Sequence, residues 1–263
     1  MQAHRLATAI LMAHWLGTNG LGATADSPSR APLELHSSIP EIRNSRQLIT
    51  VTTSSWSDKS ATIQLFQRAP GKPWSWQEME KPFSGVIGRR GFGWGIGLHG
   101  TGETGAPRKR EGDQRSPAGV FKIFSVFGLA KPARMPFLRL PYQQVTARTE
   151  AIDDPRSKYY NRIVDRSTIA RPDWSSSESM LRVGGRYRYG LMIQHNWKAV
   201  PGFGSCIFFH VWDDHQAGTA GCTATSSAHL ERLLRWLDSK KNPLIVQLPQ
   251  PEYLRLRESW ELP

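Results

Sequence analysis

The stretch Cys206-Ile-Phe-Phe-His210-Val-Trp-Asp-Asp-His215-Gln-Ala-Gly-Thr219-Ala-Gly221-Cys222-Thr223-Ala224 places two thiols and two imidazoles within seventeen residues. A free thiol titrates near ~8.5 and attacks well only as the thiolate, which a neighbouring His and a helix N-terminus both favour. An apolar run ending in His210, then a polar loop, then Cys222 between small residues is an order that suits such chemistry. Cys222 is therefore the candidate nucleophile and His210 the candidate general base. The backbone N–H groups of Gly221 and Cys222 are candidate donors to an oxyanion. The spacing His210-x4-His215-x6-Cys222 also holds zinc-type ligands, but it is not a common zinc pattern, so no metal and no cofactor is expected. His195 and His99 rank behind His210 as bases.

These groups need elements to hold them. After the Cys, Leu230, Leu233, Leu234 and Leu237 recur at helical spacing, with Ser226 or Ser227 as the N-cap, and Cys222 reads as lying just upstream of that positive helix end. Before it, Cys206, Phe208 and His210 share one face of a strand, with Cys206 roughly 13 Å from the His. Cys206 reads as a small buried hydrophobe, and a bond to Cys222, which would block the nucleophile, is left open. Strand-like runs cover Leu48 to Thr53, Ala61 to Phe66, Trp74 to Glu78, Phe83 to Ile87 and Leu244 to Leu248, predicting a mainly β fold with a few helices. The glycine-dense segment from Gly88 to Gly102 lacks a Gly-Lys-Ser/Thr end and reads as a flexible loop near the site, not a phosphate cradle. Residues 128–190, rich in proline, aromatics and arginine, read as a long excursion packed on the sheet.

Thr219-Ala-Gly221-Cys222-Thr-Ala after Phe-Phe-His210-Val-Trp resembles the cysteine signature of the L,D-transpeptidases, cell-wall enzymes with a YkuD-type catalytic domain. A second block, Lys109-Arg-Glu-Gly-Asp113-Gln-Arg-Ser116-Pro117-Ala-Gly119-Val-Phe121, is similar to that family's Thr/Ser-Pro-x-Gly-x-Phe segment, which reads as architectural. The runs Ile152–Pro155, Tyr159–Val164 and Ile193–Asn196 look like the branch with a longer middle region. The chain departs from the commoner pattern in the eleven residues between His210 and Cys222, in Ala220, and in Thr-Ala-Thr after the Cys. The resemblance implies a YkuD-like β-sandwich with a helix following the Cys, spanning about residues 45–250. It also implies acyl transfer through a Cys222 thioester from the L-to-D bond of a peptidoglycan stem peptide to the amine of a second stem. His195, Thr219 and Thr223 are the candidate substrate contacts. The alternatives are water as acceptor, giving an L,D-carboxypeptidase or endopeptidase, and an exported protein that binds peptidoglycan without cutting it.

At the N-terminus, Arg5, the apolar run Leu6 to Leu16 and Ala23-Thr-Ala25 follow the order of a signal peptide, predicting cleavage before Asp26 and export to the periplasm or cell envelope. Residues 26–44 read as a linker or extended arm and 251–263 as a tail. The apolar run is too short to span a bilayer. Removing Arg5 takes the formal charge from +12 to +11, and a basic exported protein meets anionic envelope polymers, not nucleic acid. Arg89-Arg90 and Arg108-Lys109-Arg110 read as solvated surface. A monomer is expected.

Overall fold

Short runs rich in β-branched and aromatic residues, some alternating and some apolar throughout, give the chain its strands, and the computed structural model describes residues 38–69, 71 and 75–263 of it. The signal-peptide reading, its Asp26 boundary and the first part of the 26–44 arm lie outside the described residues. In chain order the strands are β1 (Gln47–Thr53), β2 (Ser60–Arg68), β3 (Trp76–Glu78), β4 (Phe83–Val86), β5 (Phe92–Trp94), β6 (Ser116–Gly128), β7 (Tyr142–Gln144), β8 (Thr149–Ile152), β9 (Arg162–Asp165), β10 (Ser177–Ser179), β11 (Tyr189–Ile193), β12 (Phe208–Val211), β13 (Thr223–Thr225) and β14 (Leu244–Pro249). The helices are α1 (Pro40–Asn44), α2 (Ser227–Trp236) and α3 (Gln250–Leu256), with short 3-10 turns between elements. The fold is mainly β with a few helices, as the sequence predicts.

The large sheet runs β1-β14-β6-β11-β12-β13-β4-β2-β3, and β1 also pairs with β2. That second pairing closes the sheet on itself, so the two layers expected of a sandwich are opposite walls of one barrel-like sheet. Closure leaves few open edges. Its interior is the main core, which includes Leu48, Ile63, Phe121, Leu191, Phe209 and Val246.

Two ends of the chain belong to this core. Residues 40–44, expected within an arm, form α1, which buries Ile42, with Ile39 just before it also buried. The buried Arg68 guanidinium ties α1 down by donating to the carbonyls of Ile42 (2.9 Å) and Arg43 (3.2 Å), with its flat face over Trp76. Residues 251–263, expected as a tail, continue α3 and bury Tyr253, Leu256, Trp260 and Leu262. The glycine-dense segment likewise is no surface loop, because it carries β5 and buries Phe92, Trp94 and His99.

The 128–190 excursion forms a second, three-stranded sheet, β10-β8-β9, and two 3-10 turns between Met180 and Tyr187, joined by a kink at Gly184. A smaller core of Phe127, Val145, Ala151, Met180, Tyr187, Met192 and Phe208 joins it to the outer face of β6, β11 and β12. The excursion is thus a roof over one part of the barrel wall, and the space beneath that roof holds the thiol.

Candidate active site

β12 and β13 are parallel neighbours, with Phe209 beside Thr223 and His210 beside Ala224. Side chains alternate across a sheet, so Cys222 and Ala224 share the outer face with Phe208 and His210, while Thr223 and Phe209 point into the barrel. Cys222 and His210 stand two residues out of register on the same face, on a diagonal of roughly 8 Å between Cα atoms. Both line a cavity of about 340 Å³ between the barrel wall and the roof, where Ala151, Glu178 and Tyr187 form the opposite side.

His210 is 6 % exposed. Its Nδ1 lies 2.8 Å from the Val211 carbonyl. A carbonyl can only accept, so Nδ1 carries the proton and Nε2 keeps its lone pair. The Tyr187 ring meets the imidazole edge-on at 5.5 Å, and the Tyr187 hydroxyl donates to Glu178 Oε1 at 2.6 Å. Burial lowers the His210 pKa from 6.5 to about 4, with the Val211 bond acting weakly the other way.

The Cys222 thiol accepts the Phe208 N–H at 3.3 Å and directs its own proton toward the Cys206 carbonyl at 3.8 Å. Burial pushes its pKa up to about 12, against the lowering effects of the Phe208 N–H and of Lys109 and Arg186. The resting pair is therefore a neutral thiol and a neutral imidazole. This revises the thiolate expectation, and the reason is local. β13 separates Cys222 from α2, whose N-cap is Ser226 with its Oγ accepting the His229 N–H at 3.2 Å. Four residues of extended chain, roughly 13 Å, put the thiol beyond the last turn over which a helix end acts.

The turn before Cys222 is held from two sides. Thr219 lines the cavity, and its Oγ1 donates to the Cys222 carbonyl at 2.5 Å while accepting the Gly221 N–H at 3.0 Å. That second bond takes up the Gly221 N–H proposed for the oxyanion, a correction to its assigned role. From below, the fully buried Ser116 Oγ bonds the carbonyls of Gly221 (2.7 Å) and Cys222 (3.0 Å) and accepts the Gly88 N–H at 2.9 Å. Ser116 opens β6, so the Ser-Pro-Ala-Gly block, read as architecture, is bound directly to the turn that carries Cys222. Sequence reasoning missed this because the contact spans 105 residues.

The other assigned residues fall elsewhere. Thr223 is buried in the barrel with its hydroxyl on Gln247 Oε1, which follows from strand alternation one residue after Cys222. His195 is 1 % exposed. Its Nδ1 accepts the Ile96 N–H at 3.2 Å and its Nε2 donates to the Phe203 carbonyl at 2.8 Å, so both nitrogens are engaged by backbone and it is a core histidine. His99 is also buried, with Nδ1 accepting the Val120 N–H at 3.1 Å. His215 has an exposed side chain beside Asp214 and lies outside the cavity lining. Among the described residues no group of three or more His, Cys, Asp or Glu side chains converges as a metal set. Cys206 precedes β12 in a left-handed turn (φ +50°), its N–H donating to Asn161 Oδ1 at 2.8 Å, and both thiols are free.

A mainly β barrel wall carrying a buried His on one strand and a half-buried Cys at the start of its parallel neighbour, under a separate roof, defines a protein with a sheltered thiol site. The family model of the YkuD L,D-transpeptidase catalytic domain matches residues 101–246, and the chain belongs to that family. No curated protein matches the sequence. The matched region takes in Ser116, His210 and Cys222, and the family is one of cell-wall enzymes acting on peptidoglycan. Among the described residues no helix is long and apolar enough to cross a membrane.

Proposed function

We propose that the protein is a peptidoglycan L,D-transpeptidase of the cell envelope in which Cys222 is the nucleophile and His210 the general base. The observation that carries this reading is that His210 Nε2 is left as the acceptor, on the same face as the Cys222 thiol, at one cavity. The thiol rotates from the Cys206 carbonyl toward Nε2. As Sγ attacks the carbonyl on the L-side of an L-to-D bond in the stem peptide, Nε2 takes the thiol proton. The tetrahedral intermediate collapses, the C–N bond breaks, and the imidazolium returns the proton to the departing D-amino acid. A thioester on Cys222 remains. The amine of a second stem attacks it, gives a proton to Nε2, and the thiol re-forms as the cross-link is released. With Gly221 bonded to Thr219, the Cys222 N–H is the backbone donor for the oxyanion. Thr219 then supports the nucleophile turn more than it contacts substrate.

Neutral partners fit this sequence of steps. A base whose conjugate acid is weak at neutral pH is free to accept a proton, and a buried thiol becomes charged only while it is attacking.

The test is incubation of the full chain with purified muropeptides, read by mass spectrometry. Cross-linked dimer in the wild type and none in Cys222→Ala, with Cys206→Ala still active, is the expected result. Trimmed monomer without dimer identifies water as the acceptor and makes the protein a carboxypeptidase or endopeptidase. Binding without turnover refutes catalysis, and equal loss in both cysteine variants refutes a single nucleophile.

A further inference from the structure

Lys109 is 2 % exposed although it lines the cavity. Its backbone is pinned by its N–H, which donates to the Trp94 carbonyl at 3.0 Å. Its stem crosses Gly204, where φ is +95° and a Cβ would come within 2.9 Å of Lys109 Cε, so only glycine leaves room for it. Nζ donates to the Arg110 carbonyl at 2.5 Å and to Asp113 Oδ1 at 2.6 Å. Those bonds use two of its three protons. The ammonium also lies against the nucleophile turn: a Cβ built on Gly221 would sit 3.7 Å from Nζ.

An ion pair that only shaped the 109–115 loop would not need this placement. Asp113 organises that loop through the Arg110 and Arg115 N–H groups, at 2.7 and 2.9 Å, and could do so without a buried cation. Burying an ammonium costs several kcal/mol before its pairing is counted, which calls for a use. The surroundings of Cys222 supply one. The thiol is half-buried in the cavity wall, where desolvation and the nearby Glu178 carboxylate both oppose a negative charge on it. Of the cavity-lining cations, Arg89 and Arg186 are exposed and Arg186 is paired with Asp213 at 3.4 Å, whereas Lys109 is shielded from water. A charge shielded from water acts more strongly than one in it.

We propose that Lys109 is the fixed cation against which negative charge develops at Cys222, on sulfur during attack and on the carbonyl oxygen of the tetrahedral intermediate. This rests on Cys222 being the nucleophile. It also accounts for a segment whose similarity to the family is otherwise only architectural, since one loop supplies Ser116 to hold the turn and Lys109 to polarise it. Attack by the thiol moves a proton to His210 and leaves the new charge beside the turn against which the ammonium lies.

The experiment uses Lys109→Met in the full chain. Methionine keeps the stem and removes the charge. Peptide-resolved mass spectrometry follows iodoacetamide labelling of Cys222 at pH 8, without substrate. An opposite charge within 4–6 Å shifts a pKa by about 1–3 units, and the thiolate fraction falls tenfold per unit. Labelling should therefore slow by about tenfold or more, and kcat on muropeptide should fall by a similar factor with little change in KM. Lys109→Met/Asp113→Asn removes the pair together, and Asp113 does not line the cavity. The double variant should label slowly even where its thermal midpoint recovers. Wild-type labelling in Lys109→Met, or labelling that recovers with stability in the double variant, overturns the proposal. If neither variant folds, Lys109 is a structural pin and the proposal is likewise overturned. A wild type that labels but does not turn over muropeptide refutes the transpeptidase reading instead.

Discussion

Ser116→Ala isolates the link between the two blocks of the site. The serine hydroxyl makes three contacts, to the Gly221 carbonyl, the Cys222 carbonyl and the Gly88 N–H. Alanine fits the space, so no clash arises and the cost is that of polar groups losing partners. The Cys222 carbonyl still accepts from Thr219 Oγ1 at 2.5 Å, which leaves the Gly88 N–H and the Gly221 carbonyl as the groups deprived. At about 1–3 kcal/mol for each buried group left unmade, the expected destabilisation is about 2–6 kcal/mol, a large share of the roughly 5–15 kcal/mol that holds a domain together. Urea unfolding should show a lower midpoint at an unchanged slope. The folded fraction should also lose kcat, because the peptide carrying Sγ is no longer held on that side and misplacement of about 1 Å can cost ~100-fold. A stability loss under about 1 kcal/mol, with kcat intact, would refute the claim that Ser116 holds the turn that carries Cys222.

If His210 is the base, as proposed, it acts in its neutral form, and burial lowers its pKa to about 4, so in the free enzyme kcat/KM should stay level through pH 6 and fall only as pH drops through about 4; an acid limb near 6.5 would place the base elsewhere. The same lowering, with His195 at about 3, makes the unfolded chain take up protons first, so stability present above pH 6.5 is lost as pH falls toward 3. At 1.36 kcal/mol per unit, the shift of His195 from 6.5 corresponds to about 5 kcal/mol in full, and His195→Gln should flatten that part of the urea midpoint against pH. N-terminal sequencing of envelope-derived protein should begin at Asp26, whereas Met1 retained on a cytoplasmic form would remove the export reading.

Local pattern was enough for much of this protein. Short apolar or alternating runs bounded by turn residues located β1, β2, β4 and β14 within a residue or two, and leucines at helical spacing located α2, with Leu230, Leu233 and Leu234 buried and Ser226 as its cap. These are properties of a few consecutive residues, set by the repeat of the backbone, and they need no partner to be read. That His210 and Cys222 line one cavity was legible for a related reason, since both sit on one short stretch.

What required the fold is everything that depends on which side of the sheet a residue faces or on what lies opposite it. Residues 223–225 went unread as a strand, and Thr223 was a candidate substrate contact, whereas β13 turns it into the barrel. His195 and His210 both follow apolar runs, and only the backbone groups around them distinguish a ring with both nitrogens engaged from one with a nitrogen to spare. The roof of residues 128–190 has no strong periodicity because its strands are three or four residues long, yet it buries the thiol and so raises its pKa. Ser116 and Lys109 reach Cys222 across more than a hundred residues of chain. Such contacts form when the sheet closes and leave no local mark, because burial, charge and hydrogen-bond partners are properties of the packed chain and not of the residue.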